Sequence, residues 1–310
     1  MTYIEPINQI KLFGLDKFIS EMIELYENKK LPSRILLSGQ KGIGKSTLSY
    51  HLINYILSKN EDHNYDYDKF EINSKNYSFK TILNRSNPNF ILIDIDSEKK
   101  FIDISQIRNL ISNLNKSSFN LKPRFVLIDN IEFLNANSIN ALLKILEEPL
   151  PNVYFILIKN NKKILKTLLS RCINFNISLS NKECLEVASK LLEDKLDKYI
   201  NKELINYYMT PGNIYNLTVF GKNNDYDLAN TDLKNFLKDI IQNKHYKKDN
   251  LIRFMIFDFI EFYFNKINLS FSEKISNKYS YFLKKISDTK RFNLDEESLL
   301  TEFNDSILNE

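Results

Sequence analysis

Cysteine is nearly absent from this 310-residue chain: Cys172 and Cys184 are the only two, too few for the disulfide framework of a small secreted scaffold. Histidine is as scarce. His51, His63 and His245 lie far apart, so no zinc-ligand spacing occurs. Glycine occurs 6 times against about 40 asparagines, a bias shared with Lys and Ile that carries no functional inference. The most apolar stretch, LIRFMIFDFIEFYF at 251–264, is too short and, with Arg253, Asp258 and Glu261, too charged to cross a bilayer. A net charge of +4 permits contact with nucleic acid without arguing for it. The N-terminal MTYIEPINQIKLFG lacks the positive and apolar regions of a signal peptide. The carboxylate-rich metal site that nucleotidyl transfer requires is not evident either, so no polymerase site of its own is expected. Together these point to a reducing cytoplasm, no metal held by thiolates and no membrane partner.

What remains is ordinary globular material, 43% hydrophobic and 26% charged, in a length suited to two or three domains. Periodicity predicts a helix near 16–28, a strand at Ile35–Leu37, then GQKGIGKST opening a helix that runs to about Ser58. From Lys59 to about Asn89 no clear period appears, and a surface excursion is expected. Further strands are expected at Phe90–Ile93, Phe125–Ile128 and Val153–Ile158, with a helix at roughly Ser105–Lys116. Short, nearly continuous apolar runs between helices predict a doubly wound α/β domain with a parallel sheet. Ile139, Leu142, Leu143 and Leu146 recur at helical spacing, and Pro149 stops that helix after Glu147 and Glu148. After about residue 178 the pattern turns helical, opening on a capping box of Ser180 and Glu183, with Gly221–Asp232 as the best second linker. The 251–264 helix is apolar almost all round and belongs in a bundle core or at a subunit interface.

Gly39-Gln40-Lys41-Gly42-Ile43-Gly44-Lys45-Ser46 fits G-x-x-x-x-G-K-[ST] directly after a strand and opening a helix. Gly39, Gly42 and Gly44 let the backbone curl so that N–H groups, including that of Thr47 at the helix start, surround phosphate oxygens. Lys45 would neutralise the β and γ phosphates of ATP, and Ser46 would ligate Mg²⁺, with Asp129 at the end of a neighbouring strand as the second acid. The plain alternative is a glycine turn without ligand. The residue after Asp129 is Asn130, an amide that cannot take a proton from an attacking water, so nucleotide binding with weak or no hydrolysis is expected. Glu132 lies where the chain has left the strand and is not expected to substitute; another carboxylate filling the role is the alternative. Lys159, Asn160 and Asn161 end a strand where an amide could reach a γ-phosphate or simply face solvent. Lys162, Lys163 and Lys166 form a basic cluster that reads as a solvated face or a DNA contact. The two cysteines read as buried small hydrophobes.

With the phosphate loop, Asp129, the string Asn140-Ala141-Leu142-Leu143-Lys144-Ile145-Leu146-Glu147-Glu148-Pro149 and Ser170-Arg171-Cys172 in this order, the chain resembles the AAA+ subunits of bacterial DNA polymerase III clamp loaders. The likeness covers residues 10–220 by motif and the remainder by length and helical character. Within that family it looks most like the delta-prime group. The resemblance implies an AAA+ nucleotide-binding domain at 1–178, a helical lid at 179–222 and a helical collar at 223–310. It implies ATP and Mg²⁺ as cofactors, gamma/tau and delta subunits as partners, and the sliding clamp and primed DNA reached through the complex. It also makes Arg171 an arginine finger acting in trans on a neighbour's γ-phosphate, where the bare residue would be a surface ion pair. Asn130, the absence of the four zinc-module cysteines, and Thr210-Pro211-Gly212-Asn213 without the second-sensor arginine depart from the gamma/tau pattern. These departures point to a stator. The alternative is a gamma/tau-like motor; an unrelated P-loop kinase would leave both strings unexplained.

Overall fold

The computed structural model describes residues 2–96, 99, 101–116, 120–148, 150–160, 164–267, 273–292 and 294–309. In chain order the elements are α1 (Asp16–Glu27), β1 (Arg34–Ser38), α2 (Lys45–Ser58), α3 (Tyr77–Leu83), β2 (Phe90–Ile93), α4 (Ile104–Leu114), β3 (Arg124–Ile128), α5 (Ala136–Glu147), β4 (Val153–Lys159), α6 (Lys166–Leu169), β5 (Ile173–Asn176), α7 (Asn181–Leu192), α8 (Pro211–Asn223), α9 (Leu233–Gln242), α10 (His245–Lys248), α11 (Asn250–Ile267), α12 (Glu273–Phe292) and α13 (Glu296–Phe303). They form two compact units, one of residues 3–187 with 210–212 and one of residues 2, 188–209 and 213–309.

In the first unit the five strands pair in the order β2-β3-β4-β1-β5, every pair parallel. Alternate side chains of each central strand point to opposite faces, and both faces are covered. Ile35, Leu37, Phe125, Leu127, Ile156 and Ile158 join Ile19, Met22, Leu48 and Ile53 on one side. Leu36, Val126, Ile128, Phe155 and Leu157 join Ile107, Leu110, Leu142 and Leu146 on the other. Two buried faces explain the unbroken apolar runs of the sequence. The register holds Arg34 opposite Phe155 and Phe125 opposite Tyr154, which aligns the carboxyl ends of β1, β3 and β4 along one edge of the sheet. Functional sites of open parallel sheets form at such edges.

The 59–89 region differs from the expected plain excursion, because α3 forms there. Asn76 caps it by accepting from the Phe79 amide at 2.7 Å and exchanges two side-chain hydrogen bonds with buried Asn54. Pro149, Asn161, Lys162 and Lys163 lie outside the described residues, and most of the basic cluster with them; α5 itself ends at Glu147, with Glu148 extended.

The second unit is helical. α11 buries Ile252, Met255, Ile256, Phe257, Phe259, Ile260, Tyr263 and Phe264, so the apolar segment is a bundle core within its own unit. Phe264 packs edge-on against Phe303, and Phe236 against Phe259. Arg253 turns outward to Glu296 at 3.0 Å. The expected linker begins later than Gly221, since α8 continues to Asn223. No helix among the described residues is long and apolar enough to cross a membrane.

Candidate functional site

β1 ends at Ser38 and the chain turns through Gly39, Gly42 and Gly44 at φ of 151°, 85° and 101°, conformations that side chains with a Cβ rarely adopt. Gly44 is the left-handed N-cap of α2, so the loop delivers Lys45, Ser46 and Thr47 as the first helical turn. The unpaired N–H groups of that turn and the positive end of the helix dipole face the loop, the arrangement that binds phosphate.

Lys45 is 4% exposed and spends its three donors on Gly39 O at 2.9 Å, Gln40 O at 2.7 Å and Asn160 Oδ1 at 3.0 Å. Burial pulls its ammonium down to about 8, while the Asp129 and Glu132 carboxylates work in the opposite direction. Ser46 Oγ donates to Asp129 Oδ2 at 2.5 Å, which joins the two expected Mg²⁺ groups directly. Burial pushes the Asp129 carboxyl above its usual range, with the Ser46 bond resisting and nearby Asp94 adding to the rise. A hydroxyl and a carboxylate side by side at the mouth of a phosphate loop fit a hard cation with a triphosphate. Thr47 is half-buried in the same turn.

An amide chain extends this centre. Asn160 Nδ2 donates to Asn130 Oδ1 at 3.0 Å, and Asn130 Nδ2 donates to Asp94 Oδ1 at 2.8 Å. Asn160 therefore lies at the site, which the sequence left open. Asp94 was missed, although it follows the apolar run of β2 as Asp129 follows that of β3. Glu132 also lies beside this amide chain, although the backbone has left the strand before it. Asn130 adopts φ 55°, and the 3-10 turn Ile131–Phe133 folds the carboxylate back until Glu132 Oε2 accepts from the Asn160 backbone N–H at 3.4 Å.

Two residues distant in sequence complete the loop. Thr210 Oγ1 donates to Lys41 O at 2.9 Å and Gly212 N donates to Gly42 O at 2.9 Å. A Cβ on Gly212 would lie 2.8 Å from Gly42 O and 3.0 Å from Gly42 Cα, with backbone that cannot swing aside. Gly212→Ala is expected to push the loop crest and weaken nucleotide binding about tenfold, less than the roughly hundredfold that a 1 Å misplacement can cost at a positioned site. Calorimetric titration with Mg-ATP checks this, with the unfolding midpoint as control.

Arg171 is not brought to this centre. It projects from the turn between α6 and β5 and bonds Glu147 and the Thr167 carbonyl. Cys184 is buried and Cys172 half-buried, and burial lifts the Cys172 thiol to about 11, so neither is a reactive thiolate. No group of three or more His, Cys, Asp or Glu placed to hold a metal ion occurs among the described residues.

A five-stranded parallel sheet covered on both faces, with this loop after β1 and an acid ending β3, defines a P-loop domain of the AAA+ class, here continued by a helical unit. The family model described as DNA polymerase III, delta subunit matches residues 14–181, more than half of the chain. The chain belongs to that family. It is 28% identical over 201 residues to the DNA polymerase III subunit gamma/tau of Mycoplasma genitalium, covering 64% of this chain and 31% of that protein. It is 31% identical over 161 residues to the DNA polymerase III subunit delta' of Buchnera aphidicola subsp. Baizongia pistaciae, covering 48% of this chain and 45% of that protein. It thus spans less than half the length of both relatives. Among solved structures, a gamma subunit-related protein of Thermotoga maritima is similar at a TM-score of 0.48 and 18% identity, covering 95% of this chain and 96% of that one.

Proposed function

We propose that this chain is a clamp-loader subunit of the delta-prime type, a stator that binds Mg-ATP weakly or structurally, with weak or no turnover of its own, and completes a neighbouring subunit's ATP site. One observation carries this reading. The position beside Asp129 holds Asn130, whose amide is bonded to Asp94 and Asn160 and cannot accept a proton from water. Within this reading residues 1–178 form the nucleotide-binding domain, 179–222 the lid and 223–310 the collar, and the partners are gamma/tau and delta subunits, with the sliding clamp and primed DNA reached through the complex. Gly39, Gly42, Gly44, Lys45, Ser46, Thr47 and Asp129 hold nucleotide and Mg²⁺. The bound cation supplies charge neutralisation of the phosphates; Ser46 and Asp129 orient it. Arg171 acts on the neighbour's γ-phosphate.

In a complex reconstituted with cognate gamma- and delta-type subunits, Arg171→Ala at matched assembly is expected to lower clamp- and DNA-stimulated ATP hydrolysis by about tenfold or more, since arginine fingers contribute up to about 10³ to 10⁵ in related enzymes. An unchanged rate removes the finger. Deleting residues 230–310 is expected to exclude the chain from the complex. Because α11 spends most of its apolar surface inside its own unit, leaving only Phe254 among its large apolar side chains well exposed, this second expectation rests on the family likeness.

A gamma/tau-like motor is the second reading, favoured by Glu132, whose carboxylate reaches Asn160 and counters the fall of the Lys45 pKa. Turnover by the isolated chain near about 1 per second, within the ordinary enzyme range, and lost in Glu132→Gln, selects the motor over the stator.

A further inference from the structure

Arg171 is held in a defined pose by its own chain. Its Nε donates to Glu147 Oε1 at 3.0 Å, its Nη2 donates to the same oxygen, and its Nη1 donates to the Thr167 carbonyl at 2.7 Å. A guanidinium carries five N–H bonds in a rigid plane. Three are engaged, and one remains on each Nη. The side chain is 30% exposed, and its inner edge, at Nε, is fixed by Glu147. Two elements set the clamp. Glu147 is the last residue of α5, and Arg171 follows α6, whose Thr167 carbonyl lies four residues before it.

We propose that Glu147 is a positioning residue for Arg171, locking the inner edge of the guanidinium so that the two outer N–H groups meet phosphate oxygens of a nucleotide bound on an adjacent P-loop subunit. This rests on the finger reading given above. An unrestrained arginine samples many rotamers, and freezing it at the moment of reaction costs side-chain entropy. Glu147 and Thr167 remove most of that freedom beforehand. The carboxylate leaves the guanidinium charge only partly offset, because about half of the Glu147 side chain is in water. The surrounding surface mixes exposed apolar side chains with exposed Lys166, Thr167, Ser170 and Asn174. Leu165, Leu169 and Ile173 are 51%, 38% and 56% exposed on the same stretch of chain, so apposition of a neighbour would drive water from around the fork and strengthen its pull on phosphate.

An ordinary surface ion pair would stabilise slightly and leave catalysis alone, which separates the two roles experimentally. Steady-state ATP hydrolysis is measured in the reconstituted complex with clamp and primed DNA, for wild type, Arg171→Ala, Glu147→Ala, Glu147→Gln and the double Ala variant. Glu147→Ala is expected to lower kcat about three- to tenfold with KM for ATP changed less than about twofold, as loss of orientation in the transition state does. The double variant should fall no further than Arg171→Ala alone. Glu147→Gln keeps an oxygen facing Nε and should restore at least half of the rate. If Glu147→Ala does not assemble, Glu147→Asp, which withdraws the carboxylate by one methylene, carries the same test. A fall in Arg171→Ala with an unchanged or faster rate in the Glu147 variants overturns the positioning role and leaves the finger intact. No fall in Arg171→Ala overturns both.

Discussion

Replacing Lys45 by alanine is expected to weaken Mg-ATP binding by the isolated chain about a hundredfold or more, because one buried ammonium donor to a charged oxygen contributes about 1.5–3 kcal/mol and its charge is lost as well. The three bonds of Lys45 run to Gly39 O, Gln40 O and Asn160 Oδ1, so the same side chain that neutralises phosphate also ties the loop to the end of β4. Its depressed pKa of about 8 adds a pH signature. A bound triphosphate favours the ammonium and lifts this pKa, so affinity is fully present well below pH 8 and falls as pH rises through it. Between pH 7 and 9 the loss should be about tenfold, since the protonated fraction falls by that factor. Lys45→Ala should lose this slope along with most of the affinity. Wild-type affinity that is flat from pH 7 to 9, or an alanine variant that binds as wild type does, would show that the loop does not engage phosphate through Lys45.

The central strands were legible because burial on both faces leaves a continuous apolar signal, and the phosphate loop because backbone curvature requires its glycines and phosphate and cation chemistry its Lys-Ser pair. What escaped depends on bonds between distant residues. α3 has seven residues and no period of its own; it is held by Asn54, and by Glu61 accepting from Ser78 Oγ at 2.6 Å and from Lys122 at 3.1 Å. Glu132 reaches the site through the left-handed turn at Asn130, a conformation asparagine tolerates more readily than most residues but that no spacing rule announces. Gly212 touches Gly42 from the far side of the sequence. Arg171 and Glu147 were both inside recognisable strings, yet nothing in either string shows that they pair.

His51 should make the first unit acid-sensitive. It is fully buried in α2, where Nε2 lies 3.0 Å from Gln9 O and Nδ1 lies 2.9 Å from Tyr65 Oη. A carbonyl can only accept, so Nε2 carries the hydrogen and Nδ1 accepts from the tyrosine. The ring is thereby satisfied as a neutral group, and burial pulls its pKa down to about 4 against an ordinary 6.5. The unfolded chain takes up this proton as pH falls through 6.5, and the folded chain only near 4. Stability attributable to His51 is complete above pH 6.5 and decreases steadily towards 4, by about 3 kcal/mol in all. Asp and Glu groups titrate over part of the same range, so the informative quantity is a difference between two proteins. Hydrogen exchange of α2 backbone amides, corrected for intrinsic rates, reports the opening free energy of this unit alone. Wild type should lose about 2 to 3 kcal/mol more than His51→Gln between pH 7 and 4, because glutamine can donate and accept but cannot be charged. Equal losses in the two proteins would mean that the imidazole enters the folded state already protonated, and the hydrogen-bond assignment to Gln9 and Tyr65 would have to be abandoned.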